Sequence, residues 1–339
     1  YHIPNLRGMF IVPLMKNKLM MRSLKILCLL FILGSCAKDD AVPLVQVAPS
    51  LEEQILDKTQ NQLFLDALAC SDIDLNGQEF TLLVPSEDAL NQFLIDLNAK
   101  DFSEVKQNIG ATYYNAWLGS HILPQAVKVE NLRTAFVPTL AKNSENQDIY
   151  LHLLHNKGLL RINGQWITVG EKDLELSSGI IHSIDQVLYP STLSKLVRSN
   201  MANFSILERA LRVSNLASML NNDQSKFTFL APNDQAFDAF FQAKDCGDLD
   251  GYIEEFGVLK LKELIEAHLI TGSHKLSQLV GSQQSSLALN AGLNIYLEDG
   301  NILVQRNGLA NAKSAHVLLT DISSFNGSLN IIDEVLKLP

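Results

Sequence analysis

The chain has 339 residues, of which 47% are hydrophobic and 19% are charged, and its formal net charge at pH 7 is −10. Residues 1–35 hold five of the 27 basic residues and no acidic residue, so the rest of the chain has 22 basic against 37 acidic residues, a net charge near −15. Such an acidic protein repels the phosphate backbone of nucleic acids, which argues against a nucleic-acid-binding function.

Residues 1–35 have the composition of a secretory signal rather than of a folded domain. Their basic first part is followed by an apolar run at 26–33, which is too short to cross a bilayer as a helix. Small residues then lead to Cys36, in a pattern that resembles the lipobox of bacterial lipoproteins, whose cysteine is lipidated and becomes the mature N-terminus. We therefore predict a signal peptide within 1–35, with residues 1–19 as an upstream extension, and lipid attachment at Cys36.

The segment after this cysteine resembles a sorting signal. Lys38, Asp39 and Asp40 are similar to the lysine-plus-acidic motif that directs lipoproteins of the Bacteroidetes type to the cell surface. A solvated linker is the alternative interpretation of these three residues. We predict that residues 36–47 are a lipid-anchored linker. The protein is then expected to be an outer-membrane lipoprotein exposed on the cell surface, in contact with the membrane only through its lipid.

Helix and strand signals follow in a clear order after the linker. Ser50 starts a capping-box pattern, and the apolar spacing after it predicts helical structure with a break near Asn61. A buried strand is predicted at 80–84, and it ends at Pro85 because proline cannot donate to a sheet. The next residue, Ser86, is a good N-cap for a following helix.

The chain then changes from helical spacing to strand patterns. Short β-branched or aromatic runs at 150–154, 159–162 and 165–169 are separated by turns that contain Asn-Gly or Lys-Gly. Three corresponding runs follow later in the chain, at 295–297, 302–304 and 317–319. Helices followed by strands predict a domain of the α+β class.

The same succession occurs twice because the chain is a tandem repeat. The phrase Phe-Thr-Leu-Leu-Val-Pro-Ser-Glu-Asp-Ala at 80–89 returns as Phe-Thr-Phe-Leu-Ala-Pro-Asn-Asp-Gln-Ala at 227–236, an offset of 147 residues. Further matches in the same order pair 67–71 with 210–214, 121–123 with 268–270, 149–151 with 295–297 and 179–188 with 327–336. Matches in one order with nearly constant spacing indicate duplication.

Duplication sets the expected domain organisation. We predict two domains, at 48–190 and 191–339, and each is long enough to bury a core of its own. The segment that joins them, 189–203, is short and partly apolar. The two domains are therefore expected to abut rather than to move freely.

Three landmarks of each repeat resemble those of fasciclin-type domains. They are the phrase at 80–89, His121 and the stretch at 179–188, with 227–236, His268 and 327–336 as their second copies. The resemblance covers about residues 48–339. It implies two tandem fasciclin-type domains of the α+β class, each a β-sandwich or wedge with helices packed around it, and a role in extracellular adhesion.

The polar residues of these landmarks are interpreted as structural. This set comprises His121, His182, Asp185, His268, Asn330 and Asp333. We expect His182 to be buried and bonded to the backbone, although the second repeat has Asn330 at the corresponding position. In animal relatives an Asp-Ile pair upstream of the last landmark is tied to integrin binding. The resemblance therefore makes two analogous pairs candidate partner contacts, Asp173 with Leu174 and Asp321 with Ile322.

No residue pattern in the sequence is typical of an enzyme. His182, Ser183 and Asp185 together suggest a catalytic group, but neighbours on a strand point to opposite faces and cannot form a nucleophile–base pair. The histidines show no HExxH or comparable metal-ligand spacing, and the chain has no glycine-rich phosphate loop. We therefore predict no catalytic residue, no metal site and no cofactor.

The sequence favours a lipid-anchored adhesion or binding module at the cell surface that contacts an extracellular protein or polysaccharide. One alternative is a carrier of a small apolar ligand, since a few fasciclin-type proteins bind carotenoids. A third and less favoured alternative is an accessory lipoprotein of an enzyme. The family resemblance and the predicted anchor both support the first function.

Overall fold

The computed structural model describes residues 48–156, 159–288, 292–308 and 313–337. The predicted signal peptide, Cys36 and the predicted linker lie outside the described residues. Within the described part of the chain, no helix is both long enough and apolar enough to cross a membrane.

Helices begin each repeat, as the sequence predicts. The first repeat contains α1 (Leu51–Thr59), α2 (Gln62–Ala69), α3 (Glu87–Asp96), α4 (Phe102–Ile109) and α5 (Ala111–Gly119). The later helices are α6 (Leu193–Ser199), α7 (Met201–Val213), α8 (Leu216–Asn221), α9 (Asp234–Lys244), α10 (Leu249–Glu266) and α11 (Leu276–Leu279). A capping box starts α1, in which Ser50 and Glu53 each accept the other's backbone amide. Asn61 caps α2, which confirms the predicted break.

Strands complete each repeat, and the mixture of helices and sheets confirms the α+β class. The strands of the first repeat are β1 (Phe80–Pro85), β2 (Ile122–Leu123), β3 (Ala135–Lys142), β4 (Asp148–Asn156), β5 (Leu159–Ile162), β6 (Gln165–Ile167), β7 (Leu174–Glu175) and β8 (Gly179–Ile184). Those of the second are β9 (Phe227–Pro232), β10 (Leu269–Thr271), β11 (Ser282–Ser285), β12 (Gly292–Glu298), β13 (Asn301–Arg306), β14 (Ala315–Ser324) and β15 (Gly327–Ile332). The sheet orders are β2-β1-β8-β7, β3-β4-β5-β6 and β10-β9-β15-β14-β13-β12-β11.

The repeated phrase has the same structure in both copies. β1 and β9 are fully buried strands that end at Pro85 and Pro232. The next residue caps the following helix by accepting a hydrogen bond from the amide three residues on, at 3.2 Å for Ser86 and 2.8 Å for Asn233. These contacts confirm the predicted strand end and helix start.

The first and last landmarks of each repeat pair with each other. β1 lies parallel to β8 with Phe80 opposite Gly179, and β9 lies parallel to β15 with Phe227 opposite Gly327. Antiparallel strands flank each parallel pair. Segments about 100 residues apart therefore meet at the centre of each domain, where parallel strands are buried on both faces.

The predicted match of 149–151 with 295–297 is wrong, because the hairpins of the two repeats align four residues differently. The last paired residue before the turn is Asn156 in β4 and Glu298 in β12, so the offset (298 − 156) is 142 rather than 146. Side chains along a strand point to the two faces of the sheet in turn, with a period of two residues. A shift of four residues therefore preserves the pattern of inward-facing apolar residues. That periodicity explains why similar triplets align in the wrong register.

Aromatic side chains fill the core below the helices of each repeat. Trp117 of α5 is fully buried and stacks on Phe93 with 4.5 Å between ring centroids. The second repeat has no tryptophan and packs Phe241 of α9 against Tyr252 at 6.0 Å. The only other tryptophan of the chain is Trp166, in β6, so tryptophan fluorescence reports on the first repeat alone.

The two repeats are in contact, as the short linker predicts. The Asn143 side chain donates to the Ser324 carbonyl at 3.2 Å. Phe325 packs edge-on against Tyr113, with 5.0 Å between the ring centroids. Because these contacts combine a buried hydrogen bond with an aromatic pair, they fix one arrangement of the β14–β15 turn against the first repeat.

Candidate functional site

The middle histidine of each repeat links the end of a helix to the last landmark. His121 Nδ1 donates to the Trp117 carbonyl at 3.0 Å, and its Nε2 accepts from the Leu188 amide at 2.8 Å. His268 makes the same contacts, with the Leu264 carbonyl and with the Leu336 amide. A carbonyl only accepts and an amide only donates, so each ring is neutral and protonated at Nδ1. Burial lowers the pKa of both histidines to about 4.

The last landmark has histidine in one repeat and asparagine in the other, and the contacts show why both fit. His182 Nε2 donates to the Val127 carbonyl at 2.8 Å, and its Nδ1 accepts from the Asp173 amide at 3.1 Å. Asn330 Oδ1 takes the place of Nδ1 and accepts from the Asp321 amide at 2.9 Å. Burial lowers the pKa of His182, which keeps Nδ1 available as an acceptor.

Both aspartates of the candidate partner-contact pairs bind the backbone. Asp173 and Asp321 lie at φ 57° and 59°, in the left-handed region that aspartate tolerates better than most residues. The Asp173 carboxylate accepts the Val129 amide at 2.9 Å, and the Asp321 carboxylate accepts the Leu276 amide at 2.6 Å. Each aspartate therefore closes a loop at the same point of its repeat.

The apolar members of these pairs face inward. Leu174 is partly buried and packs against the core of the first repeat, and Ile322 is 2% exposed. A side chain in the core reaches a partner only if its strand opens. As contacts with a partner, Asp173, Leu174, Asp321 and Ile322 stay a prediction, and in this structure they lie in or next to β7 and β14, the strands that precede β8 and β15.

The acidic residue of the last landmark has the same role in both repeats. Asp185 accepts the Thr168 amide at 2.9 Å, and Asp333 accepts the His316 amide at 2.7 Å. All six polar landmark residues thus accept a backbone N–H, so each has a bond that stabilises the fold. Among the described residues, no three His, Cys, Asp or Glu side chains converge as metal ligands.

Replacing His182 with alanine is expected to lower the free energy of unfolding by about 1–3 kcal/mol, because the Asp173 amide and the Val127 carbonyl lose a buried partner. His182→Asn is the matched control, since asparagine serves the same amide in the second repeat, and it should cost less. Urea unfolding followed by tryptophan fluorescence measures both variants. Equal midpoints for the wild type and His182→Ala would show that the ring contributes nothing to the fold.

A pocket outside the predicted site residues lies between the β5–β6 turn and α6. It has a volume of about 300 Å³, and its lining includes Arg161, Tyr189, Lys195 and Arg198 but no acidic residue. Lys195 and Arg198 are three residues apart on α6, so they share a helix face, and that spacing was a readable signal. Arg161 belongs to a different strand, and only the folded chain brings it to the other two.

Three known proteins show what the chain is similar to. It is 24% identical to Fasciclin-1 of Drosophila melanogaster over 283 residues, which cover 77% of this chain and 40% of that protein. It is 24% identical to the transforming growth factor-beta-induced protein ig-h3 of Sus scrofa over 286 residues, 83% of this chain and 38% of that protein. It is 26% identical to Protein sll1483 of Synechocystis sp. over 143 residues, 42% of this chain and 72% of that protein. The chain thus spans about two fifths of the length of the two animal relatives.

A solved structure and a family model are also similar to the chain. Among solved structures, the chain is similar to a FAS1 domain pair from the insect cell adhesion molecule fasciclin I, with 21% identity and a TM-score of 0.47 over 85% of this chain and 96% of that one. The model of the fasciclin domain family matches residues 57–190 and again residues 202–339. The two ranges that the family model matches together cover most of the chain and include every landmark. The chain therefore belongs to the fasciclin family and carries two fasciclin domains in tandem.

Proposed function

We propose that this protein is a lipid-anchored adhesion module of the cell surface, whose two fasciclin domains contact an extracellular protein or polysaccharide. The double match to the fasciclin domain carries the proposal, because fasciclin domains are linked to cell adhesion and to the binding of extracellular proteins. The lipobox-like stretch before Cys36 supports the anchor. The acidic surface of the remaining chain disfavours direct adsorption to an anionic bilayer, so the lipid would be the membrane contact.

Surfaces where the two repeats differ are the best candidates for partner binding. Gly110 and Gly257 break the helices at corresponding places, with φ of 80° and 83°. Alanine and threonine follow Gly110, whereas Gly257 lies among exposed apolar side chains, Phe256, Val258 and Leu259. Neighbouring exposed apolar residues on a soluble domain are typical of interaction surfaces. This difference supports a binding function that the second domain does not share with the first.

Cys36→Ala is expected to move the protein from the membrane fraction to the soluble fraction, because the acyl chains hold it by about 0.8 kcal/mol for each buried methylene group. Fractionation with immunoblotting measures the change. Cys70→Ala is the matched control, since Cys70 is a partly buried thiol at the end of α2 and should leave the protein at the membrane. Membrane retention of Cys36→Ala would refute the anchor.

Deletion of the gene tests adhesion itself. Attachment of cells to one another and to surfaces should fall, and the wild-type gene should restore it while Cys36→Ala should not. Unchanged attachment after deletion would overturn the adhesion proposal. A purified protein that carries a pigment or a non-covalently bound lipid would instead favour a carrier of a small apolar ligand.

A further inference from the structure

We infer that the pocket between the β5–β6 turn and α6, called here the basic pocket, binds the carboxylate or sulfate group of an acidic polysaccharide. The inference rests on the proposed function, because it names the polymer chemistry that one surface of the adhesion module recognises. Arg161, Lys195 and Arg198 supply its positive charge.

The cations of the basic pocket are unpaired in a chain that is rich in acids. In the part of the chain that the structure describes, none of Arg161, Lys195 and Arg198 forms an ion pair with a carboxylate. Basic residues elsewhere do so, such as Lys106 with Asp72 and Arg209 with Asp250. Three converging cations without a protein counter-charge leave a place for an anion from outside.

Two of the three cations are held in position by contacts that leave donors available. Arg161 donates from Nε and Nη2 to the Gly164 carbonyl, at 3.2 and 2.6 Å, and its guanidinium lies over the Trp166 ring at 5.0 Å. Lys195 Nζ lies 5.6 Å from the centre of the Tyr189 ring. Burial lowers the pKa of Lys195, with no acidic neighbour to offset it. Cations fixed before binding lose less entropy when an anion arrives.

One wall of the basic pocket belongs to the first domain and the other is α6, in the segment that joins the domains, and the two walls are bonded to each other. His152 Nδ1 donates to the Ser199 carbonyl at the end of α6, at 3.1 Å. The Ser191 hydroxyl, just before α6, donates to the Tyr150 carbonyl at 2.5 Å. These bonds join α6 and the residues just before it to β4, and β4 pairs with the strand of Arg161, so Lys195 and Arg198 keep their place relative to Arg161.

The size of the basic pocket and the rings beside it fit a sugar unit that carries an acidic group. Its volume of about 300 Å³ lies at the lower end of the usual range for small-ligand sites. Tyr189 lines the pocket and is 37% exposed, and Trp166, which follows the lining residue Gln165, is 57% exposed, so flat rings that can pack on the C–H face of a sugar lie beside the charges.

Calorimetric titration of the purified full chain tests the inference. The probes are trigalacturonate for the carboxylate, a heparin-derived tetrasaccharide for the sulfate, neutral maltotriose, and a hexaglutamate peptide. Lys195→Gln with Arg198→Gln should weaken binding of the acidic sugar by about tenfold or more, because two charge-assisted contacts are lost. Lys260→Gln with Lys262→Gln removes the same charge from α10, outside the basic pocket, and should leave the affinity unchanged.

Each outcome decides the inference, provided that melting temperatures show both variants folded. A selective loss in the pocket variant supports it, and the stronger of the two acidic probes identifies the group. Equal affinities for the pocket variant and the α10 variant overturn it, as does absence of binding to either acidic sugar. Hexaglutamate bound as tightly as the sugars would point to an acidic peptide and overturn it too. If cell attachment depends on the gene but the pocket variant binds the acidic sugar as tightly as the wild type does, the inference fails and the proposed function stands.

Discussion

Lowering the pH from 7 to 5 is expected to destabilise each domain by about 2 kcal/mol through its middle histidine alone. Burial lowers the pKa of His121 and His268 to about 4, against a value of 6.5 for an exposed ring. Between these values the unfolded chain takes up a proton that the folded chain excludes. The stabilisation is therefore complete above pH 6.5 and falls with pH, and the loss reaches about 3 kcal/mol per histidine near pH 4.

The contacts of these rings explain why the folded state resists protonation. A second proton on His121 would sit on Nε2, where the Leu188 amide already points its hydrogen. Burial also lowers the pKa of His152 and His182, so they act in the same direction. The lowered pKa of Asp72 lies under the ordinary value of 3.8, so this carboxyl titrates outside the range from 7 to 5.

Urea unfolding at several pH values measures the effect, with tryptophan fluorescence for the first domain and amide hydrogen exchange for the second. High salt serves as the control, because it screens the acidic surface but not a buried ring. Ring nitrogen NMR should show His121 and His268 neutral and protonated at Nδ1 down to about pH 5. A flat stability profile over this range, or a ring that titrates near 6.5, would contradict the prediction.

The elements predicted correctly from the sequence are those set by neighbouring residues. Pro85 ends a strand because it lacks an amide hydrogen, and Ser86 starts a helix because its hydroxyl reaches an amide three residues on. Neither effect needs a distant residue. The duplication adds one long-range fact, because the same phrase at 80–89 and 227–236 predicts the same strand and the same helix start.

Features that depend on packing between distant segments are not readable in this way. His182 and Asn330 are equivalent because each has one acceptor atom that binds one backbone amide. They are different residue types, so the sequence does not show this equivalence. The basic pocket depends on how α6 packs against β4, which brings Lys195 of the joining segment close to Arg161 of the first domain. No local propensity encodes that contact. The predicted partner pairs are a related case, because burial at Ile322 follows from sheet packing.

Replacing Gly327 with alanine is expected to destabilise the second domain by about 3 kcal/mol, because the parallel strands leave no room for a side chain. A β-carbon at this position would overlap the Phe227 carbonyl oxygen and lie 2.8 Å from the Leu193 side chain. Gly179→Ala should act alike in the first domain, where the β-carbon would overlap the Phe80 ring and lie 2.7 Å from its carbonyl oxygen. Relief requires the paired strands to separate, since a carbonyl oxygen cannot rotate away as a side chain can.

Gly170→Ala is the matched control for both variants. Its β-carbon would lie 3.7 Å from the nearest atom, in Ser183, which is ordinary van der Waals contact, so the change should stay within about 0.5 kcal/mol. Tryptophan fluorescence should show a lower urea midpoint for Gly179→Ala and an unchanged one for Gly327→Ala, whose loss should appear in hydrogen exchange of β9 and β15. Equal stability of Gly179→Ala and Gly170→Ala would mean that the paired strands accommodate a methyl group. A confirmed loss for Gly179→Ala would show that strand spacing requires the glycine that opens the last landmark, whereas Gly327 also has a φ of 157° that disfavours a side chain.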